Sequence, residues 1–214
     1  LGQIMRKGFP LLINEALWSI GMAMLNQSFS TRGLDVVAAQ NISSTIYNLS
    51  SVVFLSMGNA VGIIMGQMLG AGTNEADMRD ANRKLIFLSV LCGLVFGALA
   101  AAGSHLFPLL FSTTKEVADL AGWLILISAV MIPFNSYVHA AYFTLRSGGR
   151  TGITFLFDCG FTWGMLVPLA FLLSRYTSIS ILPLYAICQC VEIVKSIVGY
   201  FMVRSGIWIQ NLAK

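Results

Sequence analysis

Long apolar runs separated by short polar segments dominate the chain. Gly8 to Thr31 carries one charge, Glu15, and Val36 to Asn74 carries none. Leu85 to Phe111 and Leu120 to Leu145 are likewise uncharged, Thr151 to Ser174 holds only Asp158, and Ile179 to Val203 holds Glu192 and Lys195. A bilayer core about 30 Å thick needs about 20 apolar helical residues to cross it, because hydrocarbon cannot satisfy exposed backbone N–H and C=O groups. The pattern predicts six transmembrane helices, over about 8–31, 36–70, 85–111, 120–145, 151–174 and 179–203, and a polar loop over 72–84. Barrel strands would instead alternate apolar and polar residues over about ten positions. The second run would measure about 58 Å as one helix, so part of it must leave the hydrocarbon, into the loop that follows. That loop places Glu75, Asp77 and Asp80 largely ahead of Arg79, Arg83 and Lys84, an order that suits a short interfacial helix or an ordinary solvated loop.

Composition agrees with the pattern. Of 214 residues, 57% are hydrophobic and 10% are charged, with a mean hydropathy of +0.78; soluble domains carry about 25% charged residues. Thirteen Lys and Arg with nine Asp and Glu cannot coat a water-facing globule of this size, so an ordinary soluble enzyme is excluded, and no soluble domain interrupts the spans. The net charge of +4 does not point to nucleic acid, since basic side chains fall singly or in short groups instead of clustering on one surface. They report orientation. One side of the membrane receives Arg6, Lys7, Arg79, Arg83, Lys84, Arg146, Arg150, Arg204 and Lys214, and the other only Arg32, Lys115 and Arg175. By the positive-inside rule both termini of the segment are cytoplasmic. Arg6 and Lys7 ahead of an apolar run imitate a secretory signal, but the run is too long, contains Glu15 and lacks a small-residue cleavage site. The first residue is Leu1 rather than Met, which implies a piece of a longer chain.

Positions three and four apart share a helical face. In the second span Asn41, Ser44, Asn48, Ser51, Leu55, Asn59, Gly62, Gly66 and Gly70 recur at a mean spacing of about 3.6. The polar half of this stripe is expected to line a cavity. The tandem Gly62, Gly66, Gly70 pattern is expected to make a tight helix contact. Shorter polar stripes mark the first span (Glu15, Ser19, Asn26), the fourth (Ser128, Asn135, His139) and the fifth (Thr154, Asp158, Thr162). Polar faces on several helices imply a shared wet interior. Ionisable groups within the membrane are functional-site candidates, and Glu15 and Asp158 are each alone in their span. Burial disfavours the charged form of a carboxylate, so such a group can exchange a proton for a cation. Glu192 and Lys195, three apart on one face, are expected to pair. His139 is either a hydrogen-bonded cavity residue or a proton relay.

Cys92, Cys159, Cys188 and Cys190 all lie in the expected spans, and no disulfide framework or thiolate metal site follows from their spacing. Asn26, Asn41 and Asn48 begin Asn-x-Ser triplets at membrane depth, where glycosylation does not reach. The chain has no P-loop, dinucleotide fingerprint or nucleophile elbow. Uphill movement of a solute would therefore draw on an ion gradient.

The motifs in combination resemble the second half of a multidrug and toxic compound extrusion (MATE) transporter: Pro10-Leu-Leu-Ile-Asn-Glu15, Gly33-Leu-Asp-Val-Val-Ala-Ala-Gln40, Gly66-Gln-Met-Leu-Gly-Ala-Gly72, and Leu145-Arg-Ser-Gly-Gly-Arg-Thr151 followed by Asp158, Trp163 and Pro168-Leu-Ala. The resemblance covers essentially the whole sequence. It implies an all-α integral membrane protein in which these six helices form one lobe of a twelve-helix transporter, preceded in the same chain by an N-terminal lobe. It further implies a central cavity for amphipathic, usually cationic compounds, and antiport against Na⁺ or H⁺ with no other cofactor. Many Na⁺-coupled members carry an acid in the fourth span of this lobe, where this sequence has Asn135, and its lone charge stands in the next span, as Asp158. Glu15 occupies the span in which members carry their glutamate. The resulting expectation places the coupling cation at Glu15 and Asp158, assisted by Asn14, Asn48 and Asn135, with Asn26, Asn41 and His139 on the cavity wall. Two rival classes are a flippase for lipid-linked or polyisoprenoid precursors, and a membrane-embedded enzyme or assembly subunit. The first needs basic residues for phosphate and the second a clustered His, Asp or Cys constellation, and the sequence offers little of either.

Overall fold

A computed structural model describes residues 2–149 and 151–209, the side chains of 2–8, Pro10, Leu11 and Thr151 excepted. Arg6, Lys7, Arg150 and Lys214, which enter the orientation argument, lie outside the described side chains. The described residues are helical throughout, with short connections. The rods are α1 (Gly2–Ser30), α2 (Leu34–Gly70), α3 (Glu75–Ala102), α4 (Lys115–Ser147), a composite fifth rod, and α7 (Ile181–Arg204). The fifth rod runs from α5 (Thr151–Phe155) through two π-helical turns, Leu156–Gly160 and Thr162–Leu166, into α6 (Val167–Tyr176). Among the described residues five helices are long and apolar enough to cross a membrane: α2, α3, α4, the fifth rod and α7.

Lipid contact explains the surface. Phe87, Leu91, Leu94, Val95 and Leu99 on α3, and Ile197 and Phe201 on α7, are exposed, an outward apolar face that water would reject. α4 lies at the centre, packed against α2, α3 and α7. Pro133 interrupts its hydrogen-bond ladder and displaces the carbonyl of Ala129. Glycines on α3 let the neighbouring backbone approach there: a Cβ on Gly97 would lie 2.8 Å from the Ala129 carbonyl oxygen, and one on Gly93 would strike Ser136 Oγ. Gly97→Ala should therefore cost about 1–3 kcal/mol, seen as a lower unfolding temperature of the detergent-solubilised protein.

Three expectations change. The polar loop over 72–84 is mostly helix: Asn74 caps α3 by accepting from the Ala76 N–H, and Glu75 and Asp77 sit where the helix dipole favours acids. The pairs Arg79–Glu75 and Lys84–Asp80, each 2.6 Å apart at i,i+4 spacing, continue that helix straight into the apolar run. No separate interfacial helix exists there. The third span ends at Ala102, and Pro108 then lies in a 3₁₀ turn, Phe107–Leu110. Finally, only Gly62 of the glycine stripe makes a tight contact: it receives the Phe143 ring of α4, as Gly58 outside the stripe also does, whereas a Cβ on Gly66 or Gly70 would meet no atom within 4 Å. Gly66 and Gly70 are exposed, on the side of α2 away from Met65 and Leu69, which are buried in a cluster with Met78 of α3 and Leu145 of α4.

Candidate functional site

A cavity of about 990 Å³ opens between α1, α2, α4, the fifth rod and α7. The polar stripes converge on it. Glu15 and Asn26 of α1, Asn41 and Asn48 of α2, Asn135 and His139 of α4, and Asp158 of the fifth rod all line it. Asn14 is the exception, being 2% exposed and set behind the wall. Its carboxamide Nδ2 donates to Asp158 Oδ2 at 3.1 Å while its Oδ1 accepts from Cys159 Sγ at 3.1 Å. Together with the Trp163 indole N–H, which donates to the Leu17 carbonyl at 3.1 Å, these bonds tie α1 to the π segment.

The π turns place Asp158. Pro168 at the start of α6 lacks an N–H and its ring presses toward the carbonyl one turn back, and the widened turns upstream absorb the distortion. Insertions of this kind re-aim side chains and recur at functional sites. Here the Asp158 carboxylate reaches both Asn14 and Lys195, whose Nζ stands 2.9 Å from Oδ1. The side chains of this pair are 9% and 16% exposed, and the Lys195 ammonium also lies 5.4 Å from the centre of the Phe157 ring. This corrects the expected Glu192–Lys195 pair. Helical spacing puts those two residues on one face, but Lys195 points across to the fifth rod, where a buried carboxylate would otherwise stand alone.

The remaining polar groups are mostly held in place. Asn135 Nδ2 donates to the Met131 carbonyl at 3.0 Å, and His139 Nδ1 donates to the Asn135 carbonyl at 2.9 Å. The His139 ring also tilts against Phe54, with centres 4.7 Å apart. His139 thus stands on the cavity wall with one ring nitrogen bonded to the backbone. Asn26 Oδ1 accepts from Gln40 Nε2 at 3.0 Å. Ser128 Oγ and Tyr185 Oη lie 2.8 Å apart, and Gln189 Nε2 donates to Tyr185 Oη at 3.0 Å. By contrast, neither Glu15 nor Glu192 has a hydrogen bond or ion pair to its carboxylate among the described residues, and both line the cavity. Among the described residues no three His, Cys, Asp or Glu side chains gather as a transition-metal site would require.

Sequence reasoning missed Tyr47, Gln40, Tyr185 and Gln189 on the wall. The signal was present: Tyr185, Gln189, Glu192 and Lys195 recur at steps of four, three and three, which is one helical face.

Comparison with known proteins accords with this arrangement. The chain is 29% identical over 182 residues to the protein named "Probable multidrug resistance protein YoeA" of Bacillus subtilis (strain 168), covering 84% of this chain and 38% of that protein. It is 25% identical over 186 residues to the "Probable multidrug resistance protein NorM" of Pasteurella multocida (strain Pm70), covering 82% and 38%. The chain thus spans about two fifths of the length of these relatives. Two solved structures share its fold. One is a MOP superfamily transporter from Pyrococcus furiosus Vc1 (DSM3638), with TM-score 0.85, 13% identity, and coverage of 95% of this chain and 45% of that one. The other is a MATE protein crystallised with MaL6, with TM-score 0.82, 20% identity, and coverage of 95% and 46%. The MatE family model matches residues 10–172, and with the all-helical, multi-span architecture already described, this chain belongs to the MatE family.

Proposed function

We propose that this chain is one six-helix lobe of a secondary antiporter that exports amphipathic, cationic compounds in exchange for Na⁺ or H⁺ by alternating access. The observation that carries this reading is the cavity wall, which mixes aromatic rings (Trp18, Phe29, Tyr47, Phe54) with the carboxylates of Glu15, Asp158 and Glu192. Rings bind the apolar body of such a compound and attract its charge from their faces, and acids complement the charge directly. Glu15 and Asp158 take up the coupling cation, Asn48 and Asn135 offer carboxamide oxygens beside them, and Asn14 orients Asp158. The matching N-terminal lobe precedes this one in the same chain, in a cell membrane with both ends of this segment cytoplasmic. Arg79, Arg83, Lys84, Arg146 and Arg204 gather at the ends of α3, α4 and α7 on that side.

The test uses the full-length protein in proteoliposomes with an imposed Na⁺ or proton gradient. Ethidium should move against its own gradient and stop when an ionophore collapses the driving gradient. Equal ethidium movement with and without the gradient would contradict antiport, and movement of a lipid-linked phosphate in place of ethidium would favour a flippase.

A further inference from the structure

The three acids on the cavity wall are not equivalent. Asp158 already has a cation, the Lys195 ammonium at 2.9 Å, and its second oxygen is engaged by Asn14 at 3.1 Å. The same face of α7 carries Tyr185 and Gln189, which bond to each other, and Lys195, which bonds to Asp158. Glu192 lies between these groups, one turn from each, lines the cavity, and has no hydrogen bond or ion pair to its carboxylate among the described residues. Opposite it, α2 presents Tyr47 and Asn48 to the same space, and the Phe29 ring lies tilted against Tyr185 with ring centres 5.3 Å apart. A carboxylate among aromatic faces, close to a neighbouring acid whose charge is already matched, is a recognition site for one organic cation.

We infer that Glu192 is the residue that recognises the positive charge of the cargo, and that Lys195 serves as the tethered counter-ion keeping Asp158 from doing so in this conformation. This inference rests on the proposed export of cationic compounds. It divides the labour within the site: Glu15 on α1 and Asp158 on the fifth rod serve the coupling cation, and Glu192 on α7 serves the cargo. The division also gives α7 a role that its spacing alone does not reveal, since an intrahelical Glu192–Lys195 pair would have left no free acid on this face.

The experiment measures ethidium binding to the full-length transporter in detergent, by fluorescence titration. Glu192→Gln removes no protein contact, so it should unfold at the wild-type temperature and yet bind ethidium at least about tenfold more weakly. Glu192→Asp, which keeps the charge, should recover most of the affinity. The loss in Glu192→Gln should exceed that in Asp158→Asn or, if that single change unfolds the protein, in the Asp158→Asn/Lys195→Met pair. Unchanged binding by a folded Glu192→Gln protein would overturn the inference, as would equal losses in Glu192→Gln and Glu192→Asp or a greater loss at Asp158. A wild-type protein that binds no lipophilic cation would instead remove the reading of the whole site, and the inference with it.

Discussion

Glu15→Gln in the full-length transporter should reduce gradient-driven ethidium efflux to the leak of protein-free vesicles while leaving expression and folding intact. The carboxylate lines the cavity without a hydrogen bond or ion pair among the described residues, so the isosteric amide breaks no contact that holds the bundle together. What it removes is the charge. An exchanger needs a group that binds the coupling ion in one half of its cycle and releases it in the other, and a carboxamide neither takes up a proton nor balances a sodium ion. Binding of ethidium should largely survive, because Glu192 remains. Undiminished efflux by Glu15→Gln would remove this residue from the mechanism.

Lys195→Met should destabilise the protein by about 3–5 kcal/mol, because it strands a buried carboxylate. Both members of the Lys195–Asp158 pair are nearly enclosed, at 9% and 16% side-chain exposure, so solvent screens their attraction only weakly. The loss belongs to the stranded charge more than to the bond itself. Replacing both partners, in Asp158→Asn/Lys195→Met, should therefore recover most of the stability, since a buried pair exchanged as a unit for neutral groups is often neutral in cost. Apparent unfolding temperatures of the two single variants and the double variant, measured in one detergent, form the cycle that checks this. If the double variant is as unstable as Lys195→Met, the cost lies in lost packing against Phe157 and the account of the pair is wrong.

Much of this site can be read in the sequence because a helix reports its own faces. The recurrence of Asn41, Ser44, Asn48 and Ser51 at the helical period marks the wall of the cavity they line, and the isolation of Glu15 and Asp158 within apolar runs marks them as residues that lipid would not accept. Periodicity does not report what stands opposite. Lys195 shares a face with Glu192 but spans to Asp158 on another rod, and no spacing rule on one helix contains that partner. Nor does the sequence announce the two π turns, which arise where Pro168 and its neighbours distort the ladder and set the direction of the Asp158 side chain. The glycine stripe fails in part for the same reason. Gly62 meets Phe143, but a small-residue pattern cannot show which side of a helix is covered, and Gly66 and Gly70 lie on the exposed side while Met65 and Leu69 are buried. The segment over 72–84 is legible as polar, and as a short interfacial helix or a loop, but not as the first turns of the third span, because its Asn74 cap and its i,i+4 ion pairs extend a membrane helix beyond the apolar run.

The physical claim beneath all of this is that the polar faces of these helices enclose water instead of meeting acyl chains. It is tested most directly by thiol accessibility in the full-length transporter in membranes, with Cys92, Cys159, Cys188 and Cys190 replaced by Ala. A cysteine at Asn48, on the cavity wall, should react with a charged, water-soluble thiol reagent, and ethidium should slow that reaction. A cysteine at Leu91, on the exposed apolar face of α3, should stay inert. Labelling at Leu91 with an unreactive Asn48 position would turn the bundle inside out and contradict the account.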